Sequence, residues 1–283
     1  MQYIEYLMKN KDWDFFMFVE IGVDRIQHAF WKFMDSEHHL YQPKNKYENV
    51  IRDYYRFLDR KIGNLLTLTN EDTIVLIVSD HGAKRMKGAF CINEWLIKKG
   101  YLTLKSQPEG VISLDEAKVD WHNTKAWGWG GYYARVFLNV EGREQWGIIK
   151  LKDYEKERKR LGEEIKQIKG PNGEKWKTKV FKPEEIYADT KGDPPDLMVY
   201  FDDLYWRSAG TIGHNSLFLS ENDIGPDDAV HSEYGIFIMY DPHKKGNGKI
   251  KDIDILDVAP TILDSMGMPV PEDITGKIIS YEF

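Results

Sequence analysis

Two aspartate–histidine pairs are the strongest candidates for metal-binding or catalytic residues in this sequence. Asp24 and His28 are four residues apart, and Asp80 and His81 are adjacent and precede Gly82. If a helix starts near Asp24, this spacing puts its carboxylate and the imidazole of His28 on one helix face. Carboxylate oxygen and imidazole nitrogen are common ligands of Zn²⁺ and Mn²⁺. Two such pairs suggest a two-metal site, which can hold both the attacking and the leaving oxygen of a phosphoryl transfer.

Each pair alone also has a plain structural interpretation, because Asp24 could cap a helix and His28 could be a half-buried helix residue. A third ligand would strengthen the metal hypothesis. His231, just before a predicted strand, is the favoured candidate, and His214 is its competitor. The sequence favours a solvated turn over a calcium site for the acidic loop formed by Asp223, Asp227 and Asp228.

The sequence around these pairs predicts alternating strands and helices. Trp13–Val23 and Asp72–Ser79 are nearly continuous apolar runs, which is typical of strands buried on both faces. Asp24–Met34 and Tyr47–Leu66 have helical periodicity. In parallel α/β sheets, ligands bind outside the carboxyl ends of the strands. The sequence therefore predicts an α/β fold with a mostly parallel central sheet flanked by helices, and both pairs at one sheet edge.

A region of different composition interrupts this pattern. Residues 121–183 combine a Trp- and Gly-rich stretch with a highly charged helix, Asp153–Lys169. Strand-like segments then return at Asp196–Phe201 and Tyr234–Tyr240. We therefore expect a metal-binding α/β core of residues 1–120 and 184–283, with residues 121–183 inserted as a cap.

Composition excludes several classes of protein. The formal net charge of -7 does not suggest a nucleic-acid groove. No apolar run approaches the roughly 20 residues of a membrane helix, and the first residues show no signal peptide. The single cysteine, Cys91, fits a reducing compartment. We expect a cytoplasmic protein with no membrane partner.

Four motifs in order resemble the alkaline phosphatase superfamily, and within it the type I phosphodiesterase/nucleotide pyrophosphatase-like proteins. They are Asp24-x-x-x-His28, Asp80-His81-Gly82, His231-x-x-x-Gly235-Ile236 and the segment Asp257–Leu263. The resemblance implies an alkaline phosphatase-like fold and metal-dependent hydrolysis of phosphate esters. A phosphodiesterase or nucleotide pyrophosphatase, with a nucleotide as one candidate substrate, is the expected activity.

The resemblance also implies roles for these residues. Asp24, His28 and His231 would hold one metal ion, and Asp80 and His81 would help to hold a second, with zinc expected before manganese. In the family, an earlier aspartate and a Thr or Ser nucleophile complete the second site, and no match to them precedes Asp24. We therefore expect a C-terminal portion of such an enzyme, with the nucleophile outside this chain and little activity alone. It could associate through an incomplete sheet edge or with the missing N-terminal segment.

Two alternatives to a phosphodiesterase stay open. One is a non-catalytic metal-binding fragment or subunit, and the other is a phosphomutase or sulfatase branch of the same superfamily. Substrate contacts are equally open. Lys84 and Arg85 could contact phosphate or belong to a solvated loop. Trp127 and Trp129 could stack on a base, as could their neighbours Trp121, Tyr132 and Tyr133, or all of them could pack in a core.

Overall fold

The computed structural model describes residues 1–246 and 248–280, which form two compact units. The first unit contains residues 1–16, 60–82 and the described residues from 233 onward. The second unit contains residues 17–59 and 83–232. No helix in these described ranges combines the length and the apolar character needed to cross a bilayer.

The longer predicted helices are confirmed, with small shifts at their ends. The helices are α1 Gln2–Asn10, α2 Gly22–Met34, α3 Val50–Leu66, α4 Ile92–Lys98, α5 Tyr154–Lys166, α6 Pro183–Ile186 and α7 Val258–Ser265. The strands are β1 Val75–Val78, β2 Gly82–Arg85, β3 Gly88–Cys91, β4 Ala126–Trp129, β5 Ala134–Leu138, β6 Lys179–Phe181, β7 Leu197–Tyr200, β8 Trp206–Ala209, β9 Phe218–Leu219, β10 Ala229–Ser232 and β11 Phe237–Tyr240.

The prediction of a mostly parallel central sheet is wrong, because the strands pair mainly in antiparallel fashion. β1 pairs with β11 antiparallel in the first unit. In the second unit, β4-β5-β7-β6 form an antiparallel sheet, while β3 pairs parallel with β8 and antiparallel with β9. The four residues between β4 and β5 are too few for the crossover that parallel neighbours require.

The predicted strand over Trp13–Val23 does not form either. The side chains of Phe15, Met17 and Val19 are 52%, 73% and 77% exposed. The end of this run, Gly22 and Val23, begins α2, and the Glu20 carboxylate accepts a hydrogen bond from the backbone N–H of Gly22 at 2.8 Å. An apolar run forms a strand when its backbone groups find a neighbouring strand. This segment is not a strand in the described structure.

The core of the second unit lies between its four-stranded sheet and the helices α4 and α5. Leu161 and Ile165, four residues apart on the charged helix α5, are completely buried. They belong to one apolar cluster with Phe90, Leu96, Val136, Leu138, Val199 and Phe201. Residues 121–183 supply β4, β5, β6 and α5 to this unit. Their role as a cap stays a prediction, as do the boundaries 1–120 and 184–283.

Asp196 connects three elements of this unit. It directly precedes β7, and its side chain is 2% exposed. Its carboxylate accepts hydrogen bonds from the backbone N–H of Leu138 on β5, from the guanidinium of Arg143 and from the hydroxyl of Tyr154 on α5. A buried carboxylate must be hydrogen-bonded or paired to offset its desolvation. Asp196 therefore holds β5 and α5 in register with β7.

Replacing Asp196 by Asn should lower the free energy of unfolding by about 3 kcal/mol, because the amide turns one acceptor into a donor and leaves buried donors without a partner. Chemical denaturation followed by tryptophan fluorescence measures this change. Asp115→Asn alters an exposed carboxylate and should stay within about 0.5 kcal/mol of the wild type. Equal stabilities of the two variants would contradict the role given to Asp196.

Candidate metal centre

Helix α2 brings the first predicted pair together. Asp24 lies in its first turn and His28 one turn later. The His28 Nε2 and Asp24 Oδ1 atoms are 3.1 Å apart. The two side chains therefore lie on one face of the helix, as predicted.

Strand β10 adds His231 to this pair. His231 Nε2 lies 3.3 Å from His28 Nε2 and 3.7 Å from Asp24 Oδ1. Its neighbour Val230 is completely buried, and side chains alternate between the two faces of a strand. His231 is therefore turned away from the side that Val230 packs against, toward α2. One ligand atom from each of the three residues lies within 4.8 Å of the others.

The spacing of these three atoms fits a metal ion. In a tetrahedral zinc site with bonds of about 2.0–2.1 Å, neighbouring ligand atoms are about 3.3–3.4 Å apart. The separations here are 3.1, 3.3 and 3.7 Å. Two nitrogens and one carboxylate oxygen are a donor set that zinc and manganese accept. Three protein ligands leave one position of a tetrahedron open.

His214, the competing third ligand, has other partners. Its Nε2 lies 2.7 Å from the hydroxyl oxygen of Thr211. The Glu94 carboxylate accepts hydrogen bonds from the backbone N–H groups of Gly213 and His214. The structure thus places His231, rather than His214, beside Asp24 and His28.

Asp227 fixes the orientation of the His28 ring. His28 Nδ1–H donates a hydrogen bond of 2.7 Å to Asp227 Oδ1. This bond assigns the proton of neutral His28 to Nδ1 and leaves the Nε2 lone pair for a metal, an arrangement common at metal-bound histidines. Burial lowers the pKa of His28, but the hydrogen bond and charge of Asp227, together with Asp24, outweigh it and raise that pKa above its ordinary value.

Arg207 holds Asp227 from the other side. Its guanidinium donates to Asp227 Oδ2, and the two side chains are only 7% and 9% exposed. Neither residue is predicted from the sequence as part of the site. Asp227 lies in an acidic loop that the sequence predicts to be a solvated turn, and no local pattern marks Arg207.

Tyr132 completes the surroundings of the two histidines. Its ring stacks on that of His231, with centroids 3.7 Å apart and planes at 27°. Its hydroxyl oxygen lies 3.3 Å from His28 Nε2, and the guanidinium of Arg207 lies 4.3 Å from the ring centroid. Burial and the charge of Asp227 raise the pKa of Tyr132.

The second predicted pair belongs to the first unit. Asp80 and His81 follow β1, as predicted, and the Asp80 side chain is 83% exposed. The antiparallel partner β11 starts beside the end of β1, where Ser79 N–H donates to the carbonyl of Ile236. A Cβ atom at Gly235 would lie 2.3 Å from the hydroxyl of Ser79. Gly235 therefore allows the two segments to approach closely.

Three of the four predicted substrate-binding residues have side-chain partners within the second unit. Lys84 pairs with Asp203 and lies over the ring of Tyr205. Arg85 pairs with two acidic residues, Asp35 and Glu37. Trp127 stacks on Phe137 and contacts Trp121 edge-on, and Trp129 is the last residue of β4. The assignment of Lys84, Arg85, Trp127 and Trp129 to substrate stays a prediction.

Comparison with known proteins identifies a family. The model described as "Type I phosphodiesterase / nucleotide pyrophosphatase" matches residues 1–227 of the 283. The match covers most of the chain and includes both aspartate–histidine pairs, and it ends four residues before His231. The chain therefore belongs to this family, in agreement with the resemblance to the alkaline phosphatase superfamily. No curated protein sequence matches the chain.

The backbone next to Asp227 is braced by a buried histidine. His38 is 3% exposed. Its Nε2–H donates to the carbonyl of Asp228, and its Nδ1 accepts from the backbone N–H of Leu40. The Asp228 carboxylate pairs with Lys32 of α2 at 3.2 Å. Both hydrogen bonds of His38 need the neutral ring, since a proton on Nδ1 would remove the acceptor for Leu40.

Acidification should destabilise the protein through His38. Burial, the neighbouring His39 and Lys32 outweigh the hydrogen bond to Asp228 and the charge of Asp35, and they lower the pKa of His38 to about 4. Between this value and the ordinary 6.5, only the unfolded chain takes up the proton. The stability that His38 contributes is therefore complete above pH 6.5 and is lost as the pH falls toward 4. We expect a loss of about 2 kcal/mol at pH 5.0 relative to pH 7.5.

The measurement is the free energy of unfolding at both pH values for the wild type and His38→Gln, whose amide does not titrate. The variant should lose about 2 kcal/mol less on acidification than the wild type. All other histidines are common to the two proteins, so their contributions cancel. An equal loss in both would refute the assignment to His38.

Proposed function

We propose that this chain, as a member of the type I phosphodiesterase/nucleotide pyrophosphatase family, is a metal-dependent hydrolase of phosphate esters that acts through a two-metal site. The observation that carries the proposal is the group Asp24, His28 and His231, whose ligand atoms lie at the spacing of a zinc site with one position open. Zinc is the proposed metal and manganese the alternative.

Each residue around the proposed metal has a different role in binding it. Asp24 supplies the negative ligand, and His28 and His231 supply neutral nitrogens. Asp227 keeps the proton of His28 on Nδ1, so that Nε2 stays available. A bound divalent ion would supply Lewis-acid stabilisation of charge on a phosphate-ester oxygen at the open position.

Asp80 and His81 are proposed as ligands of the second metal. Their support is the family match, which covers them, and the residue types, which suit zinc. No residue of this chain is proposed as the catalytic nucleophile. The described residues are proposed to bind metal and to recognise a phosphate ester.

The proposed substrates are phosphodiesters or pyrophosphates, with a nucleotide as one candidate. The family description names both activities. A cytoplasmic location is also proposed, because the single cysteine, Cys91, is buried as a free thiol and fits a reducing compartment.

The first test is zinc binding by the group on α2 and β10. The protein, treated with chelator and titrated with Zn²⁺, should bind zinc, and His231→Ala should lose at least tenfold in affinity at this site because one of its three ligands is gone. His214→Ala is the matched control, since His214 has partners elsewhere, and it should bind like the wild type. Equal affinities of the wild type and His231→Ala would exclude His231 as a ligand.

The same proteins test the reaction. Hydrolysis of bis(4-nitrophenyl) phosphate is measured beside 4-nitrophenyl phosphate and 4-nitrophenyl sulfate, with Zn²⁺ or Mn²⁺ added. Any diester turnover should disappear on chelation and in His231→Ala, and persist in His214→Ala. A preference for the sulfate ester would instead favour the sulfatase branch. Zinc binding without any turnover is expected both for a hydrolase whose nucleophile is not supplied by these residues and for the non-catalytic alternative.

A separate prediction concerns Asp227. Its replacement by Asn keeps the size of the side chain but removes the charge that holds the Nδ1 proton and pairs with Arg207. We expect zinc affinity to fall about 10–100-fold, while Glu221→Gln, an exposed change in the neighbouring loop, should have no effect. Isothermal titration with Zn²⁺ measures both. A full-affinity Asp227→Asn protein would show that the hydrogen bond to His28 is not needed for binding.

A further inference from the structure

The loop between β4 and β5 is built to approach strand β8 closely. Gly131 and Ser208 exchange two backbone hydrogen bonds of 2.8 and 2.9 Å. A Cβ atom at Gly130 would lie 2.6 Å from the carbonyl oxygen of Ser208, and Gly131 has a φ of +142°. A side chain at Gly130 would prevent the approach, and the φ of Gly131 would strain any residue that carries a Cβ. The glycine pair therefore fixes where the next residue, Tyr132, lies.

This pairing sets Tyr132 beside Arg207, the residue that precedes Ser208. The guanidinium lies 4.3 Å from the ring centroid, within the range of a cation–π contact. The stacked ring of His231 is a second contact of the Tyr132 ring, and Arg207 also donates a hydrogen bond to the Tyr132 hydroxyl oxygen. The two ring contacts do not use the hydroxyl proton, which the Tyr132 oxygen can still donate while it accepts from Arg207.

The hydroxyl of Tyr132 points to the atom that a metal would use. It donates to His28 Nε2 over 3.3 Å, the same nitrogen that lies 3.1 Å from Asp24 and 3.3 Å from His231. A metal bound at Nε2 would take the lone pair that accepts this hydrogen bond. The Tyr132 O–H group would then need another acceptor near the metal.

We propose that Tyr132 is a substrate-binding residue, whose hydroxyl donates a hydrogen bond to a non-bridging oxygen of the phosphate group at the open position. This inference rests on the proposed function. Arg207 serves as a positioning residue, because its guanidinium is neutralised by Asp227 while its flat face supports the ring. In this proposal, the phosphate oxygen accepts its hydrogen bond from the uncharged Tyr132 hydroxyl and not from the Arg207 guanidinium.

The test uses inorganic phosphate and the zinc-loaded full chain. Tyr132→Phe keeps the ring and both of its packing contacts and removes the hydroxyl alone. We expect the variant to bind zinc with the affinity of the wild type and to unfold at the same temperature. Its affinity for phosphate, measured by titration calorimetry, should fall about tenfold or more, since a hydrogen bond to a charged group is lost.

Tyr133→Phe is the matched control. Its ring lies beside that of Tyr200, 5.6 Å between centroids, and it follows Tyr132 directly in the chain. It should bind zinc and phosphate like the wild type. A selective loss of phosphate affinity in Tyr132→Phe would support the proposal.

Three outcomes would overturn it. Equal phosphate affinity of the wild type and Tyr132→Phe would show that the hydroxyl is not a donor to phosphate. Loss of zinc affinity in Tyr132→Phe, with a tyrosinate absorption band on zinc binding to the wild type, would make Tyr132 a metal ligand instead. A wild type that binds no zinc would refute the proposed function itself, which separates that failure from the failure of the tyrosine assignment.

Discussion

The hydrogen bond between His28 and Asp227 is the contact on which the candidate site depends. It joins the second turn of α2 to a loop 199 residues later in the chain, and it decides which nitrogen of His28 can reach a metal. Two further links hold the same pair of segments together, since Lys32 pairs with Asp228 and the backbone N–H of Asp228 donates to the carbonyl of His28. Because β10 starts directly after this loop, fixing Asp227 against α2 also fixes His231 against Asp24.

Sequence reasoning could reach the parts of this site that are local. The four-residue spacing of Asp24 and His28 needs only a helix, and the apolar faces of α2 and α3 predicted the helices. Residue type and family resemblance favour His231 as the third ligand. The other residues around the site come from distant parts of the chain and cannot be predicted from local patterns. Asp227, Arg207 and Tyr132 come from the loop before β10, from β8 and from the β4–β5 loop, which are far apart in the chain; backbone hydrogen bonds between Gly131 and Ser208 join the last two. An acidic residue in a loop is expected to be exposed to solvent. In the structure, the Asp227 side chain is only 9% exposed.

The failed strand predictions have a related cause. Apolar character over Trp13–Val23 measures a preference for burial, whereas a strand also requires hydrogen-bonding neighbours. Likewise, apolar runs at Val75–Val78 and Phe237–Tyr240 located the strands β1 and β11 but carried no information about their relative direction. The antiparallel pairing still places the start of β11 beside the end of β1, which is where the Asp80–His81 pair begins.

The charges of the second unit's site favour a divalent cation at one place. Asp227 is neutralised by Arg207, and Asp228 is paired with Lys32. The ion pairs that the structure gives Asp24 are with His28 and His231. As metal ligands both histidines must be neutral, which leaves the full charge of the Asp24 carboxylate for the metal. A divalent ion beside this single carboxylate leaves a local charge of about +1, which is attractive to a singly charged phosphodiester. Had Arg207 or Lys32 faced Asp24 instead, the same residues would have formed a saturated salt-bridge cluster with no affinity for metal.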